Sequence, residues 1–382
     1  MNTTYSRQRF FTARTWILLV LAIVGALTAI YRLAIGLGPA TNLSDSNPWG
    51  LWVAFDVMCG VALAAGGFTV TFGVYVANWK RYKPIARAAT LTAFLGYLLV
   101  VMGLFLDIGK PFAFWHPLIF WNIHSVMFEI VVCVTLYTLV LTLEFLPWLL
   151  EKLNVLTPFK DFLEKRAVVL TLVILGIMLS YGHQSSLGGL FLIAPTKLHP
   201  LYYTSIIHHL FFLSAICAGL SMVSCETIIS ANMRNTEYES EILEGLARGS
   251  AIALWVYFLV RIIDLALKGK LGYVFEGTMQ SHLFLLEMGV GVVLPMLLLS
   301  SRTVRRSIPL LLFSHGLVIF GVILNRFDVV FLTETSMRGP IYLPSWEEVF
   351  ITLGLVSTGI LFYKIIVTYL PIFNSPSTTQ QV

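Results

Sequence analysis

Long apolar stretches recur along this chain, separated by charge clusters or Pro/Gly turns, and each is long enough to cross a bilayer. At 1.5 Å of rise per helical residue, about 20 apolar residues span the hydrocarbon. Ten such spans are expected, at roughly 15–37, 50–78, 88–109, 117–146, 166–192, 202–230, 248–267, 280–300, 308–327 and 346–370. The runs show no period-two alternation, so continuous helices are preferred to a β-barrel as the way to satisfy the backbone in lipid. Only 12% of the 382 residues are charged, against about 25% in soluble domains. The fold class is therefore all-α and polytopic. Arg7, Arg9 and Arg14 precede the first span as in a signal peptide, but its apolar run continues to Ile35, longer than an h-region of about 7 to 15 residues, so it reads as a retained helix. The last residues, 371–382, read as a disordered tail.

Basic residues crowd alternate loops: Lys80, Arg81, Lys83 and Arg87; Lys152 to Arg166; Arg234 and Arg248; Arg302, Arg305 and Arg306. The positive-inside rule assigns those loops and both termini to the cytoplasm of a cell (inner) membrane protein. The formal charge of +5 comes from these loops and implies no nucleic-acid partner. Cys59, Cys133, Cys217 and Cys225 lie within spans without a C-x-x-C pair. They read as small buried side chains, and any iron-sulfur cluster belongs to another subunit.

With this orientation, most polar residues inside the spans fall in the outer half: Asp56, Asp107, His183 to Ser186, His208, His209, Arg261, Asp264, His282, Glu287, Asn325, Arg326, Glu347 and Glu348. Few lie in the inner half: Glu144, Glu226, His315 and Lys364. A charge near the bilayer centre costs about 2.5 to 3.5 kcal/mol on insertion scales, so a set of them converging from several helices marks a site. An internal echo accompanies this pattern. His124-x4-Glu129 in the fourth span matches His282-x4-Glu287 in the eighth, and Asp107 and Asp264 precede those histidines by 17 and 18 residues. We expect two parallel-repeat four-helix bundles, residues 50–192 and 193–327. Around them stand an N-terminus (1–14), a peripheral first helix and outer loop (15–49), and an outer loop with a peripheral last helix (328–370). Transporters use such repeats too.

On a fourth helix running from Pro117, Asn122, Ser125 and Glu129 share one face. Glu129 would lie about 18 Å in by helix rise. A carboxyl buried there is kept neutral and can exchange protons, which suits a quinone reaction; the alternative is a structural acid hydrogen-bonded to its neighbours. Asp56 carries the same two readings and precedes the small-residue run CGVALAAGG, which allows close helix approach. Tyr97 is either a phenol donor to a quinone carbonyl or core packing. Asp107 is either a site acid or a helix-end acid held by a partner. His183 and Gln184, in GHQSS, read as quinone-bonding groups. Arg261 and Asp264, at i and i+3, read as an ion pair, His199 as a loop histidine, and Ser345 as the N-cap of a last helix with Glu347 and Glu348 in its first turn. No span carries two histidines about four turns apart, so a diheme cytochrome is excluded, while a single haem between helices stays open.

The segments PWGLWVAFD (48–56), FLGY (94–97), LDIGKP (106–111), NIHSVMFE (122–129), HQSS (183–186), HP (199–200) and LPSWEE (343–348) together resemble the NrfD/PsrC family of integral membrane quinone-reactive subunits. Within it the likeness is to the HybB-like branch of hydrogenase-2 membrane subunits, which also serves sulfite-reduction-linked complexes. The resemblance implies a ten-helix subunit without haem or iron-sulfur cluster, a menaquinone site near the outer face, and an exported ferredoxin-like iron-sulfur partner with further catalytic subunits. It also implies that the chain is not active alone. Carried over by motif, the site residues fall on Asp56, Tyr97 and Glu129, with Asp107 and His183. His124 and Lys110 depart from the branch, which expects asparagine and arginine there, and this leaves the catalytic partner open. The rival from another class is a proton- or solute-translocating transporter without redox chemistry.

Overall fold

The computed structural model describes residues 12–45, 47–193, 195–234, 236–332, 342–370 and 372, and among them it is helical with no β-sheet. Among the described residues ten helices are long and apolar enough to cross a membrane: α1 (Ala13–Ile35), α2 (Trp52–Val76), α3 (Lys80–Asp107), α4 (Val126–Leu153), α5 (Arg166–Ile193), α6 (Ile207–Arg234), α7 (Ser240–Leu267), α8 (Met279–Ser300), α9 (Ile308–Leu332) and α10 (Trp346–Tyr369). The chain is a multi-pass membrane protein. Most of the expected N-terminal segment and nearly all of the tail lie outside the described residues.

Helices α2 to α5 each touch the next and close through α2 against α5, and α6 to α9 form a second ring in the same way. The rings meet where α6 packs on α2 and α5, and where α9 packs on the start of α2. Outside them, α1 lies along α10, and α10 lies along α3. Small residues allow these approaches, since without a hydrophobic drive between helices in lipid, close van der Waals packing holds them. A methyl group on Gly25 would stand 2.5 Å from the Gly354 Cα between α1 and α10. One on Gly66 would stand 2.6 Å from the Gly219 carbonyl oxygen, where α2 crosses α6, and one on Gly321 would stand 2.8 Å from the Gly291 carbonyl oxygen where α8 meets α9.

Four stretches widen from α to π geometry: Trp52–Cys59 and Phe72–Val76 in α2, Glu287–Val293 in α8 and Asp328–Leu332 in α9. Three of them carry an acid, Asp56, Glu287 and Asp328, and wide turns of this kind are frequent at functional sites.

The fourth span differs from expectation. Its helix starts at Val126, nine residues after Pro117, because the Ser125 hydroxyl accepts from the Phe128 N–H at 3.4 Å and caps it. Before it, His116–Ile119 form one short turn, and Asn122 folds the chain by accepting from the Ser125 N–H at 3.0 Å. Near the other end of the chain, at the start of α10, the N-cap at Ser345 is present as read: Ser345 and Glu348 form a reciprocal capping box.

Candidate functional site

Among the described residues four polar groups lie inside the fold; Asp56, Asp107, Tyr97 and His183 fall within them, while Asn122, Ser125 and Glu129 do not. The first joins α1, α2, α3 and α10 at one end of the first ring. Asp56, 7% exposed, accepts from the Thr352 hydroxyl at 2.7 Å, and it fits against α3 because a side chain on Gly103 would stand 2.9 Å from its Cβ. One turn on, Asp107 keeps a buried Oδ1 with no hydrogen-bond partner. Its opposing charge is Arg32, which is almost fully buried and donates to the Ile108 carbonyl at 2.8 Å, a favourable place for a cation because it neutralises the negative end of α3. Glu348 is tied down structurally. Its Oε2 accepts from the N–H groups of Asn42 (3.1 Å) and Ser345 (2.9 Å), and its Oε1 from the Tyr342 hydroxyl. Burial pushes the Tyr342 phenol above its ordinary range, so it stays a donor. The Trp52 indole donates to the Glu348 carbonyl at 3.2 Å and locks α2 to α10.

The second group is the centre of the first ring. Tyr97 of α3 and His183 of α5 are fully buried, with the Tyr97 hydroxyl 3.1 Å from His183 Nδ1. The Tyr137 ring of α4 meets Tyr97 edge-on at 4.4 Å. Buried polar atoms are normally paired, yet His183 Nε2, both amide atoms of Gln184, and the Ser185 hydroxyl have no partner. Tyr97 and His183 are thus brought together as hydrogen-bonding groups in an apolar interior, and Gln184, next along α5, is buried with both amide atoms unpartnered.

Glu129 is not where a helix from Pro117 would put it. It stands in the first turn of α4 and is exposed. The expected common face of Asn122, Ser125 and Glu129 does not exist, since Asn122 is an exposed turn residue and Ser125 the cap. Instead Glu129, Cys133 and Tyr137, spaced i, i+4, i+8, share a face running from the exposed end of α4 to the buried Tyr97 and His183. Cys133 lies beside Gly182, where an added methyl would be 3.4 Å from its sulfur. Ahead of Glu129, Phe120, Trp121 and Ile123 are at least two-thirds exposed and make its surroundings apolar.

The third group fills the second ring. Glu287, 1% exposed, accepts from the Asn325 amide at 3.0 Å and lies 3.5 Å from the Tyr257 hydroxyl. Arg326 is buried with its guanidinium 3.7 Å above the Phe211 ring and donates to Ser214 Oγ at 2.7 Å and Asn325 Oδ1 at 2.6 Å. Asp328 accepts from the Tyr202 hydroxyl at 3.0 Å. A cavity of about 10 Å³, room for about one water, is lined by Glu287, Tyr257, Asn325 and Ser214. The echo between the halves thus departs in burial: Glu287 is enclosed where Glu129 is open. The Arg261–Asp264 pair does not form. Asp264 bonds Lys268 at 2.7 Å and Thr204 at 2.8 Å, while Arg261 donates to the Leu201 carbonyl at 2.6 Å. His199 is a loop residue, as expected, and accepts from the Leu201 N–H at 3.3 Å.

The fourth group lies toward the other membrane face. Glu226 accepts from Thr92 and Tyr363, each at 2.7 Å, and His315 Nδ1 lies 3.0 Å from the Ser221 hydroxyl.

Sequence reading passed over Arg32, Thr352, Tyr137 and Tyr257. For Arg32 a signal was present, since a lone arginine inside an otherwise apolar span needs a protein partner. The two tyrosines and the threonine carry no such mark.

Among the described residues, ten apolar helices with acids, tyrosines and histidines enclosed between them define a polytopic membrane protein. The family model described as "Polysulphide reductase, NrfD" matches residues 39–336, and the chain belongs to the NrfD family. It is 31% identical to the probable Ni/Fe-hydrogenase 2 b-type cytochrome subunit of Escherichia coli K12, over 92% of this chain and 90% of that one. It is 29% identical to the menaquinone reductase integral membrane subunit of Nitratidesulfovibrio vulgaris Hildenborough, over 94% and 91%. A further protein of that organism is 36% identical over 92% of both chains. The named relatives are membrane subunits of redox complexes.

Proposed function

We propose that this chain is the quinone-reactive membrane subunit of a respiratory complex. It exchanges electrons between a ferredoxin-like iron-sulfur partner on the outer face and menaquinone, and it handles the accompanying protons. The observation that carries the reading is the α4 face that leads from exposed Glu129, past Cys133, to buried Tyr97 and His183, whose Nε2 has no partner. The naming of one relative as a menaquinone reductase subunit supports the same substrate class. A quinone supplies two-electron, two-proton chemistry when bound.

The residues fit such a ligand in kind. His183 Nε2 and the Gln184 amide are buried hydrogen-bonding atoms without a protein partner, and Tyr97 sets the His183 ring by its bond to Nδ1. Glu129, at the open end of α4 behind the apolar Phe120 to Ile123 stretch, takes or gives a proton where solvent or a partner reaches it. Asp56, held by Thr352, stores a second proton, with Asp107 and Arg32 setting the charge around it. Asn122 and Ser125 shape the entrance by turning the chain into α4. The basic loops favour a cell-membrane orientation with both termini cytoplasmic, and in that orientation Glu144, Glu226 and His315 lie on the side from which protons would be drawn. The two similar helix rings are read as copies of one ancestral bundle.

The test is quinone-coupled turnover of the intact complex. Glu129→Gln should lower it by about a hundredfold or more, the scale of general acid–base catalysis, while the complex still assembles; unchanged turnover removes the glutamate from the mechanism. Stoichiometric iron-sulfur partner and quinone should copurify with the chain. Their absence from an assembled, membrane-extracted preparation would favour the transporter.

A further inference from the structure

A groove of about 500 Å³ opens at one membrane surface where the turn between α2 and α3 meets the first half of α7, lined by Trp79, Lys80, Arg81, Tyr82, Arg248 and Ile252 among others. The local sequence builds it. Asn78 takes the left-handed conformation, φ 57°, and the Trp79 N–H returns to the Gly73 carbonyl at 2.8 Å, which turns the indole outward, 58% exposed. Tyr82 is buried against Gly245, which has no side chain to displace it. Three cations line the groove and no acid does. Lys80 and Arg81 are exposed, with Arg81 over the Tyr82 ring at 4.9 Å. Arg248 pairs with Glu244 at 2.8 Å, and Glu244 is also within 4.0 Å of Arg305, so one acid is shared between two arginines and the groove stays positive.

Below the cations the groove opens onto an uncovered apolar face. Ile252 (65% exposed) is followed at helical spacing by Val256, Leu259 and Ile263, all exposed on α7. A phosphate ligand held by the basic rim would therefore have hydrocarbon beside it.

We propose that this groove binds the headgroup of an anionic phospholipid. Lys80, Arg81 and Arg248 hold the phosphate, Trp79 lies at the glycerol level, and the acyl chains run along α7. The charge complementarity argues for an anionic headgroup, because arginine and lysine are the usual phosphate donors. The depth argues for lipid over a soluble phosphate: tryptophan concentrates at the membrane interface, and basic pockets between spans bind lipid headgroups. The proposal is independent of the quinone reading.

Native mass spectrometry of the full-length protein in neutral detergent tests it, with dioleoylphosphatidylglycerol, tetraoleoylcardiolipin or dioleoylphosphatidylcholine added in turn. The two anionic lipids should bind several-fold more tightly than phosphatidylcholine. Lys80→Gln with Arg81→Gln should abolish that preference and Lys80→Arg with Arg81→Lys should keep it, while Lys160→Gln with Lys165→Gln in the α4–α5 loop should leave it unchanged. Equal binding of phosphatidylcholine by the unaltered protein, or a preference that survives Lys80→Gln with Arg81→Gln, would overturn the proposal. Displacement of the anionic lipids by millimolar pyrophosphate would also overturn it, by making the groove a soluble-phosphate site.

Discussion

Arg32 and Asp107 show how much one residue from an outlying helix can matter. The guanidinium closes the end of α3 through the Ile108 carbonyl and supplies the positive charge beside a carboxyl with a buried, unpartnered oxygen. Losing a buried hydrogen bond made by a charged donor costs about 1.5 to 3 kcal/mol. Arg32→Met should therefore lower the thermal midpoint of the purified protein markedly. Asp107→Asn should lower it less, and the double variant should lie above Arg32→Met. If Arg32→Met melts like the native protein, the two charges are not coupled. Asp56→Asn tests the neighbouring acid: the Thr352 contact tolerates an amide oxygen, so the protein should stay folded while quinone-coupled turnover falls by about tenfold or more.

At the scale of elements, the spans were legible because an apolar run of about 20 residues has few alternatives in lipid. The start of α4 was not. Phe120, Trp121 and Ile123 are as apolar as any helix interior, yet they lie in the approach to the Ser125 cap, exposed, and hydropathy alone cannot separate an apolar approach from an apolar helix. The cues that do so, a turn asparagine and a capping serine, were read as one face of a longer helix. The Arg261–Asp264 spacing misled in the same way, because Lys268 is a full turn from Asp264 and takes it instead. The crossings were better signposted, since the CGVALAAGG run lies where α2 meets α3 and α6. Gly219→Val would drive a branched side chain into the backbone around Gly66. Overpacking costs about 1 to 3 kcal/mol, and the backbone contact puts this substitution at the upper end. The expected readout is a large drop in melting temperature, whereas Gly316→Ala, with nothing within 4 Å of its added methyl, should leave it unchanged.

For the whole molecule, the two rings and the flanking α1–α10 pair divide the work. The rings enclose the tyrosines and histidines, while α1 and α10 bring Arg32, Thr352 and Glu348 to the acids of α2 and α3. No helix periodicity announces that arrangement, because it depends on which helices meet across more than 290 residues of chain, as Asp56 and Thr352 do. Basic loops alternate with poor ones along the chain, which makes orientation a prediction at this scale. A cysteine placed at Asn42 should react with a membrane-impermeant maleimide from outside intact cells, and one placed at Lys160 should react only after lysis. The reverse pattern would turn the molecule over and move the proposed quinone site to the inner face.

The wide turns of α2, α8 and α9 have an evolutionary consequence. Deleting one residue from an ordinary transmembrane helix rotates everything beyond the gap by about 100° and turns lipid-facing residues inward. Within Trp52–Cys59 the helix can absorb such a loss by tightening from π to α, so the parts of α2 on either side keep their neighbours. A descendant of this chain could shed a residue there and still thread the membrane correctly, having lost the aim of Asp56 and kept its fold.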